Sequence, residues 1–483
     1  MSTASAVKPF FIYNTLSRKV EEFVPLKPGV VTYYSCGPTV YLPQHLGNMR
    51  SYLFTDTLKR ALRLNGYEVR HVMNITDVGH MTSDEDAGED KIEKTARAEG
   101  RSPIEVADYY TAQFISNLEM LRIEKPTVPP GQFCRATDYV PDMIALIGRI
   151  LDNGYGYAAG SGVYFDVEKW RGANRMGRLS RQSLVDQFSE QRLEHASDKR
   201  SKHDFALWVL NQPAHIMQWD SPWGRGYPGW HIECSAMSMK YLGETLDIHS
   251  GGLDHVPIHH ENEIAQSESA TGKPFVRYFV HNAFLVGMEG AKISKSSGKF
   301  PVLADLVAAG IDPIAFRLFC FGAKYRSELA FSLDAVRAAQ RNLEYFAEFA
   351  RGVPAEIAQS ADSDWAQAYL DRFQEALNND LNTPQALAVA IDLVAESYRR
   401  NDKRVWNTLA AIDTVLGVDF EGIRERAARD TVPAAVEALR KERDEARKNK
   451  DFARADALRK DLQARGYEVK DTPAGTVLQP RRD

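Results

Sequence analysis

Cysteine is scarce: four in 483 residues. Cys36, Cys134, Cys234 and Cys320 are too scattered for a disulfide framework, so any that matter act as thiols or metal ligands. No stretch approaches the roughly 20 consecutive apolar residues of a membrane helix. The opening residues, MSTASAVKPFFIYN, lack the basic start and apolar core of a secretion signal. A cytoplasmic chain with no membrane partner is expected. Excess charge of one sign is also missing: 60 Lys and Arg stand against 65 Asp and Glu, a net charge of −5. A polyanionic partner would therefore need local basic patches. A hydrophobic fraction of 44% with 26% charged residues excludes a disordered or collagen-like chain. The length exceeds what one core accommodates, and about 150 residues per domain predicts about three domains. No repeat or low-complexity tract is present.

What is present begins with a strand–helix–strand pattern. Val30 to Tyr34 is rich in β-formers and is broken by Ser35-Cys36-Gly37-Pro38. Apolar residues then recur at helical spacing from Asn48 to Leu64, and Gly66 stands where a helix stop belongs. Val69 to Ile75 reads as a second buried strand. A βαβ unit implies a parallel sheet, with ligands beyond the carboxyl ends of its strands. Cys36, His45, Thr76 and Asp77 map there.

Pro126, Pro129 and Pro130 then break the chain. A helix over Tyr139 to Asn153 and a short strand over Gly162 to Asp166 follow, reading as an insertion up to about Gln212. Strand patterning returns from Trp219 to His249, and a helix starts near Ile258. The last third is helical: Val336, Ala339, Leu343, Phe346 and Ala350 share one face. Thr383 before Pro384 is the expected N-cap of a helix through Leu387, Ile391 and Val394. After Pro433 charge rises. From Glu437 to Asp483, thirteen Lys and Arg stand against ten Asp and Glu.

Three elements carry chemistry. His45-Leu46-Gly47-Asn48 lies between a strand end and a helix start, where free N–H groups and the helix dipole favour phosphate. Gly47 permits close approach of a nucleotide, and His45 can donate to phosphate oxygens. Lys292-Ile293-Ser294-Lys295-Ser296 is a cationic loop suited to charge developing on pyrophosphate. His259 and Glu263 stand at i and i+4 on one helix face and can reach one ion. With Cys36 and Cys234 they form a donor set suited to Zn²⁺, while cysteines so far apart in sequence read as well as buried structural side chains. His260 and Glu261 are expected on other faces of that helix.

Cys36-Gly-Pro-Thr-Val-Tyr, His45-Leu-Gly-Asn, Asn74-Ile-Thr-Asp, Pro228-Gly-Trp-His-Ile-Glu-Cys234-Ser, His259-His-Glu-Asn-Glu and Lys292-Ile-Ser-Lys-Ser occur in this order. Together they resemble the cysteinyl-tRNA synthetase family, and the likeness continues through Lys450-Asp-Phe-Ala-Arg-Ala-Asp and Asp471-Thr-Pro-Ala-Gly-Thr. The resemblance implies a class I synthetase of α/β class: a Rossmann-type parallel-sheet catalytic domain with an inserted connective domain, then a C-terminal helical bundle and a small anticodon-binding domain. The corresponding divisions are 1–125 and 214–275 for the two catalytic halves, 126–213 for the insertion and 276–330 for a stem-contact region with the lysine loop. The bundle occupies 331–430 and the anticodon-binding domain 431–483.

Carried over residue by residue, the resemblance makes His45, Asn48, Lys292 and Lys295 catalytic. It assigns His45, Gly47, Gly252, Asp254 and Lys295 to ATP, and Cys36, Thr76 and Trp230 to cysteine. The zinc ligands fall on Cys36, Cys234, His259 and Glu263. One Zn²⁺ per chain is implied, with ATP and Mg²⁺, L-cysteine and tRNA(Cys) as partners, in a monomer. Cysteine differs from serine by one heteroatom, so pocket size discriminates poorly. A zinc ion that accepts a thiolate discriminates well, because a hydroxyl is a harder ligand that stays protonated.

Departures from the family pattern are few. Asn48 stands for the last histidine of the HIGH signature, an acidic stretch occupies Gly79 to Glu89, and Pro257-Ile258 replaces Phe-Pro. Lys91-Ile-Glu-Lys94 resembles a lysine pair tied in the family to pyridoxal phosphate, and a surface helix is the reading adopted. Two rival functions remain: a ligase joining cysteine to an amino-sugar thiol precursor, and a silent tRNA-binding paralogue. The basic tail argues against the first and the intact His45, Lys292 and Lys295 against the second.

Overall fold

The computed structural model describes residues 8–78, 90–173, 176–181, 198–212, 215–287, 301–430, 434–472 and 475–480. At its centre five strands pair in parallel: β1 (Val30–Ser35), β2 (Glu68–Ile75), β3 (Cys134–Arg135), β4 (Leu246–Gly252) and β5 (Val276–Asn282). Their spatial order is β5-β4-β1-β2-β3. β1 pairs with β2 from Val30↔Glu68 to Ser35↔Met73, and with β4 through Ile248↔Tyr33 and Ser250↔Ser35. The strand order reverses beside β1, so the crevice beyond its carboxyl end lies at a switch point, where open α/β sheets bind ligands.

The crossover from β1 to β2 is the helix α1 (Leu46–Leu64). It starts at His45, whose ring accepts from the Asn48 amide, and ends at Asn65 before Gly66 turns the chain at φ +85°. This helix is buried nearly all round, including Arg50, Asp56 and Lys59. A charge inside such a helix must find partners, because an unpaired ion in the interior is expensive.

Between β3 and β4 the chain leaves the parallel sheet. It forms a four-stranded antiparallel sheet from Gly156–Ala158, Gly162–Phe165, Phe205–Leu210 and Gly226–Pro228. Cys134–Arg135, beyond the division expected at 126, joins the parallel sheet, and Gly226–Pro228, beyond the one expected at 213, joins the antiparallel one. The reason is hydrogen bonding: Asn74↔Cys134 and Val209↔Tyr227 pairing places each strand with its neighbour. The chain returns through α2 (Trp230–Leu242) to β4, then through α3 (His259–Thr271) to β5.

The C-terminal third packs helices Leu333–Arg351, Gln367–Asn378, Thr383–Arg400, Trp406–Leu416 and Phe420–Asp430. Val336, Ala339, Leu343, Phe346 and Ala350 are all buried on the first of these. The third is capped by Asn382 rather than Thr383, whose hydroxyl instead donates to the Ala323 carbonyl. Helices Ala434–Lys448 and Phe452–Ala464 with a hairpin, Tyr467–Thr472 and Gly475–Pro480, enclose a separate small core of Val436, Leu462 and Val469.

Candidate metal centre and its surroundings

Cys36 follows β1 directly, and its amide donates to the Ser250 carbonyl of β4 across 3.3 Å. Cys234 sits in the second turn of α2, and His259 and Glu263 lie one turn apart at the start of α3. One ligand atom from each of these four residues lies within 4.8 Å of every other. Cys36 is half-buried and the other three are buried.

The acidic side chains of the cluster favour positive charge between them. The hydrogen bond with Cys36 draws the Cys234 thiol down to about 6 against the opposing pull of burial, whereas burial and that same bond push the Cys36 thiol well up. Burial would lower His259, but the carboxylate of Glu263 and then Cys234 outweigh it and raise the imidazole to about 10. Burial likewise opposes ionisation of Glu263, and His249 and His259 overcome it, holding the carboxyl at about 2. Glu263 Oε1 is buried without a properly directed hydrogen bond, although His259 Nε2 stands 3.1 Å away. Two sulfurs, one imidazole and one carboxylate with an unsatisfied buried oxygen fit a tetrahedral, thiophilic divalent cation. A second donor set, Cys36, His249, His260 and Glu263, overlaps the first.

The histidines around this cluster were not assigned from sequence. His231 Nδ1 lies 2.9 Å from His259 Nδ1 and fixes the ring so that Nε2 faces Glu263. His249 Nε2 meets Glu263 Oε2 at 2.9 Å. His260 does not face away: its Nε2 is 3.4 Å from Cys36 Sγ, and its Nδ1 is 2.8 Å from Nε2 of His281, whose Nδ1 in turn meets the Thr15 hydroxyl. Such outer partners orient metal ligands and set their basicity. The available signal was density, since six of the twelve histidines fall between 231 and 281. Glu261 takes a different part. Its carboxylate accepts four amides, from Gly177, Arg178, Leu179 and Ser180, and so ties that segment to α3.

Thr76 and Trp230 lie beside the cluster. The Thr76 hydroxyl donates to Glu233 at 2.9 Å, and the Trp230 ring stands 4.5 Å from that of His259, tilted by 33°. Burial and then the neighbouring Cys234 drive the Glu233 carboxyl well up, against the pull of the hydrogen bond from Thr76.

His45, Gly47 and Asn48 form the N-terminus of α1, at the same edge of the sheet. His45 folds back over it, and a Cβ at Gly47 would meet the His45 ring at 2.9 Å, so a larger residue would dislodge the cap. Gly252 ends β4 and Asp254 follows, itself exposed, in the single turn Leu253–His255. Lys292 and Lys295, and the acidic stretch from Gly79 to Glu89, lie outside the described residues.

Comparison with known proteins agrees over nearly the whole chain. The family model described as tRNA synthetases class I (C) catalytic domain matches residues 22–341. The DALR domain matches 372–421 and the cysteinyl-tRNA ligase anticodon binding domain 429–476. The cysteine–tRNA ligase of Treponema denticola is 41% identical, over 96% of this chain and 98% of that one. Cysteine–tRNA ligase 1 of Burkholderia lata is 45% identical over 97% of each. Among solved structures, Mycobacterium tuberculosis methionyl-tRNA synthetase with methionyl-adenylate aligns with a TM-score of 0.57 at 14% identity, covering 84% of this chain and 94% of that one. A leucyl-tRNA synthetase ternary complex from Agrobacterium radiobacter gives 0.56 at 12%, covering 84% and 85%. At such identities these structures speak for the fold alone, whereas the full-length relatives speak for more: the chain belongs to the cysteine–tRNA ligase family of class I aminoacyl-tRNA synthetases.

Proposed function

We propose that this chain activates L-cysteine with ATP and Mg²⁺ and transfers it to the 3′ end of tRNA(Cys), working as a cytoplasmic monomer. The observation that carries the reading is the Cys36, Cys234, His259 and Glu263 cluster beside Thr76 and Trp230, at the switch point of a class I fold. The ion this donor set fits is Zn²⁺, which when bound supplies a soft Lewis-acid position selective for a thiolate over a hydroxyl. The tilted Trp230–His259 pair and the Thr76–Glu233 hydrogen bond shape the wall where the amino acid is held.

In activation the cysteine carboxylate attacks the α-phosphorus of ATP in line and pyrophosphate leaves. The N–H groups at the start of α1, with His45, and the lysines Lys292 and Lys295 offset the charge on the phosphates. Gly252 and Asp254 hold the nucleotide. In transfer a terminal ribose hydroxyl of the tRNA attacks the adenylate carbonyl and AMP leaves. Positioning and electrostatic stabilisation account for most of the rate in both steps.

The test is charging of bulk tRNA with labelled cysteine and ATP. Formation of a base-labile aminoacyl-tRNA is the expected result. Cysteine-dependent ATP–pyrophosphate exchange without charging would shift the reading to the amino-sugar ligase, and failure of both to the silent paralogue.

A further inference from the structure

Arg317 is fully buried, in the middle of the apolar run Ile314-Ala-Phe-Arg-Leu-Phe-Cys-Phe. Its guanidinium joins four helices. Nη2 pairs with Asp56 Oδ2 of α1 at 2.8 Å and donates to the Val415 carbonyl at 3.1 Å. Nε donates to the Leu416 carbonyl, so Arg317 caps the carboxyl end of helix Trp406–Leu416. Nη1 donates at 3.1 Å to the carbonyl of Leu121, which caps helix Pro103–Met120. Arg317 itself lies on helix Pro313–Phe321.

Asp56 is equally enclosed. Oδ2 also takes Arg60 Nε at 2.7 Å, and Oδ1 accepts the Glu124 amide at 3.0 Å. Farther along α1, Arg60 donates to the Thr414 carbonyl, and Asn65 exchanges reciprocal amide hydrogen bonds with Asn378. The distal half of α1 is thus docked on the C-terminal helices. The proximal half is held separately, by Arg50 donating to the carbonyls of Ala283, Phe284 and Ser327. α1 is one continuous helix whose first residues form the His45 turn. Asp56 stands eleven residues beyond His45, about 16 Å along the axis at 1.5 Å per residue.

A fully buried ion pair adds little stability over an apolar replacement, but breaking one partner is costly, so its best-attested use is to fix one arrangement. We propose that Arg317 and Asp56 form the joint through which the C-terminal bundle sets the position of the helix carrying the His45 turn, making both positioning residues for charging of full-length tRNA. The inference rests on the tRNA-charging reading above. A tRNA held by its anticodon end on residues 429–476 would load this joint and shift α1 as one body, whereas with no anticodon bound the Arg50 anchor alone keeps the proximal half in place for cysteine activation.

The experiment compares three reactions in the full-length Asp56→Asn variant: ATP–pyrophosphate exchange, charging of full-length tRNA, and charging of a minihelix carrying only the acceptor stem. Expected is at least a tenfold loss in kcat for full-length tRNA, with little change in its KM. Exchange and minihelix charging should stay within twofold, so the advantage of full-length tRNA over minihelix shrinks. A folded variant with full-length charging within twofold of the parent would overturn the proposal, as would equal losses in all three reactions. Should Asp56→Asn not fold at the assay temperature, Arg317→Lys is read in the same way. It keeps a positive charge near Asp56 but cannot span the Leu121 and Leu416 carbonyls. A parent chain that charges no tRNA would instead remove the functional reading itself.

Discussion

Two buried charge clusters in this molecule are finished to different degrees. Around Glu263, buried polar atoms lack hydrogen bonds: Glu263 Oε1, His249 Nδ1, Glu233 Oε1 and the Tyr34 hydroxyl. Around Arg317 and Asp56, each side chain finds its partners among carbonyls, amides and opposite charges. The first pattern leaves valence for something the chain itself does not supply. The second leaves none, so its purpose is internal. Unsatisfied buried groups cost about 1–3 kcal/mol each, and a protein retains several together where a ligand or ion completes them.

The difference can be broken from the metal side first, where the effect is largest. Cys234→Ser should reduce zinc retention and cysteine-dependent pyrophosphate exchange together, on the order of 100-fold, at least matching the loss of an outer partner of a metal ligand. Metal content by atomic emission alongside exchange kinetics checks it, and a metal-depleted protein with normal exchange would count against the cluster as the selector.

Next comes the joint. Arg317→Met removes the buried charge partner of Asp56 and leaves three carbonyls without their donor, and should cost about 3–5 kcal/mol in denaturant unfolding. A loss below about 1 kcal/mol would mean that neighbouring Arg60 and Lys59 already satisfy Asp56.

A sharper and smaller test uses two glycines. Gly417 and Gly272 both end helices at positive φ, +68° and +71°. A Cβ at Gly417 would come within 2.8 Å of the Arg317 guanidinium, while at Gly272 nothing lies within 4 Å. Each alanine variant pays about 1–3 kcal/mol for the left-handed backbone, and Gly417→Ala should lose more than Gly272→Ala in thermal melts.

The smallest effect is an acid-side slope. Burial opposes ionisation of Asp56, but Arg317, Arg60 and Lys59 outweigh it and hold the carboxyl below its usual 3.8. A depressed carboxyl contributes stability that is present above the unfolded value and lost as pH falls through the folded one. The parent should therefore lose part of its stability below about pH 4, and Asp56→Asn should lack that portion of the slope.

Residue type made much of the metal cluster readable, because Cys and His are rare here and His259–Glu263 has helical spacing. The outer histidines were less legible: His231, His249 and His281 come from three different elements, and only the fold brings them to one place. The βαβ unit followed from its periodicity and breakers, whereas β3 holds two residues, Cys134 and Arg135, too few for any period. The cap at Asn382 was misplaced by one because Thr383 is equally able to cap, and its hydroxyl is used by a tertiary contact instead. Arg317 did leave a trace, a lone cation inside an apolar run, but its partners from Leu121 to Leu416 belong to no local pattern.

The placement of Cys36 at the end of β1 has a consequence for synthesis. The residue it meets at His260 lies 224 positions later in the chain. At a translation rate of roughly 5–20 residues per second, the thiol waits on the order of 10–45 s before the rest of its cluster has been made. For most of that interval Cys36 waits without Cys234, and Cys134 is the one cysteine made between them. The last strand of the antiparallel insertion, Gly226–Pro228, stands directly before α2, so an ion held by this cluster would be captured only once α3 has been made, late in catalytic-domain assembly, beside a sheet whose first and fourth strands were made far apart in time.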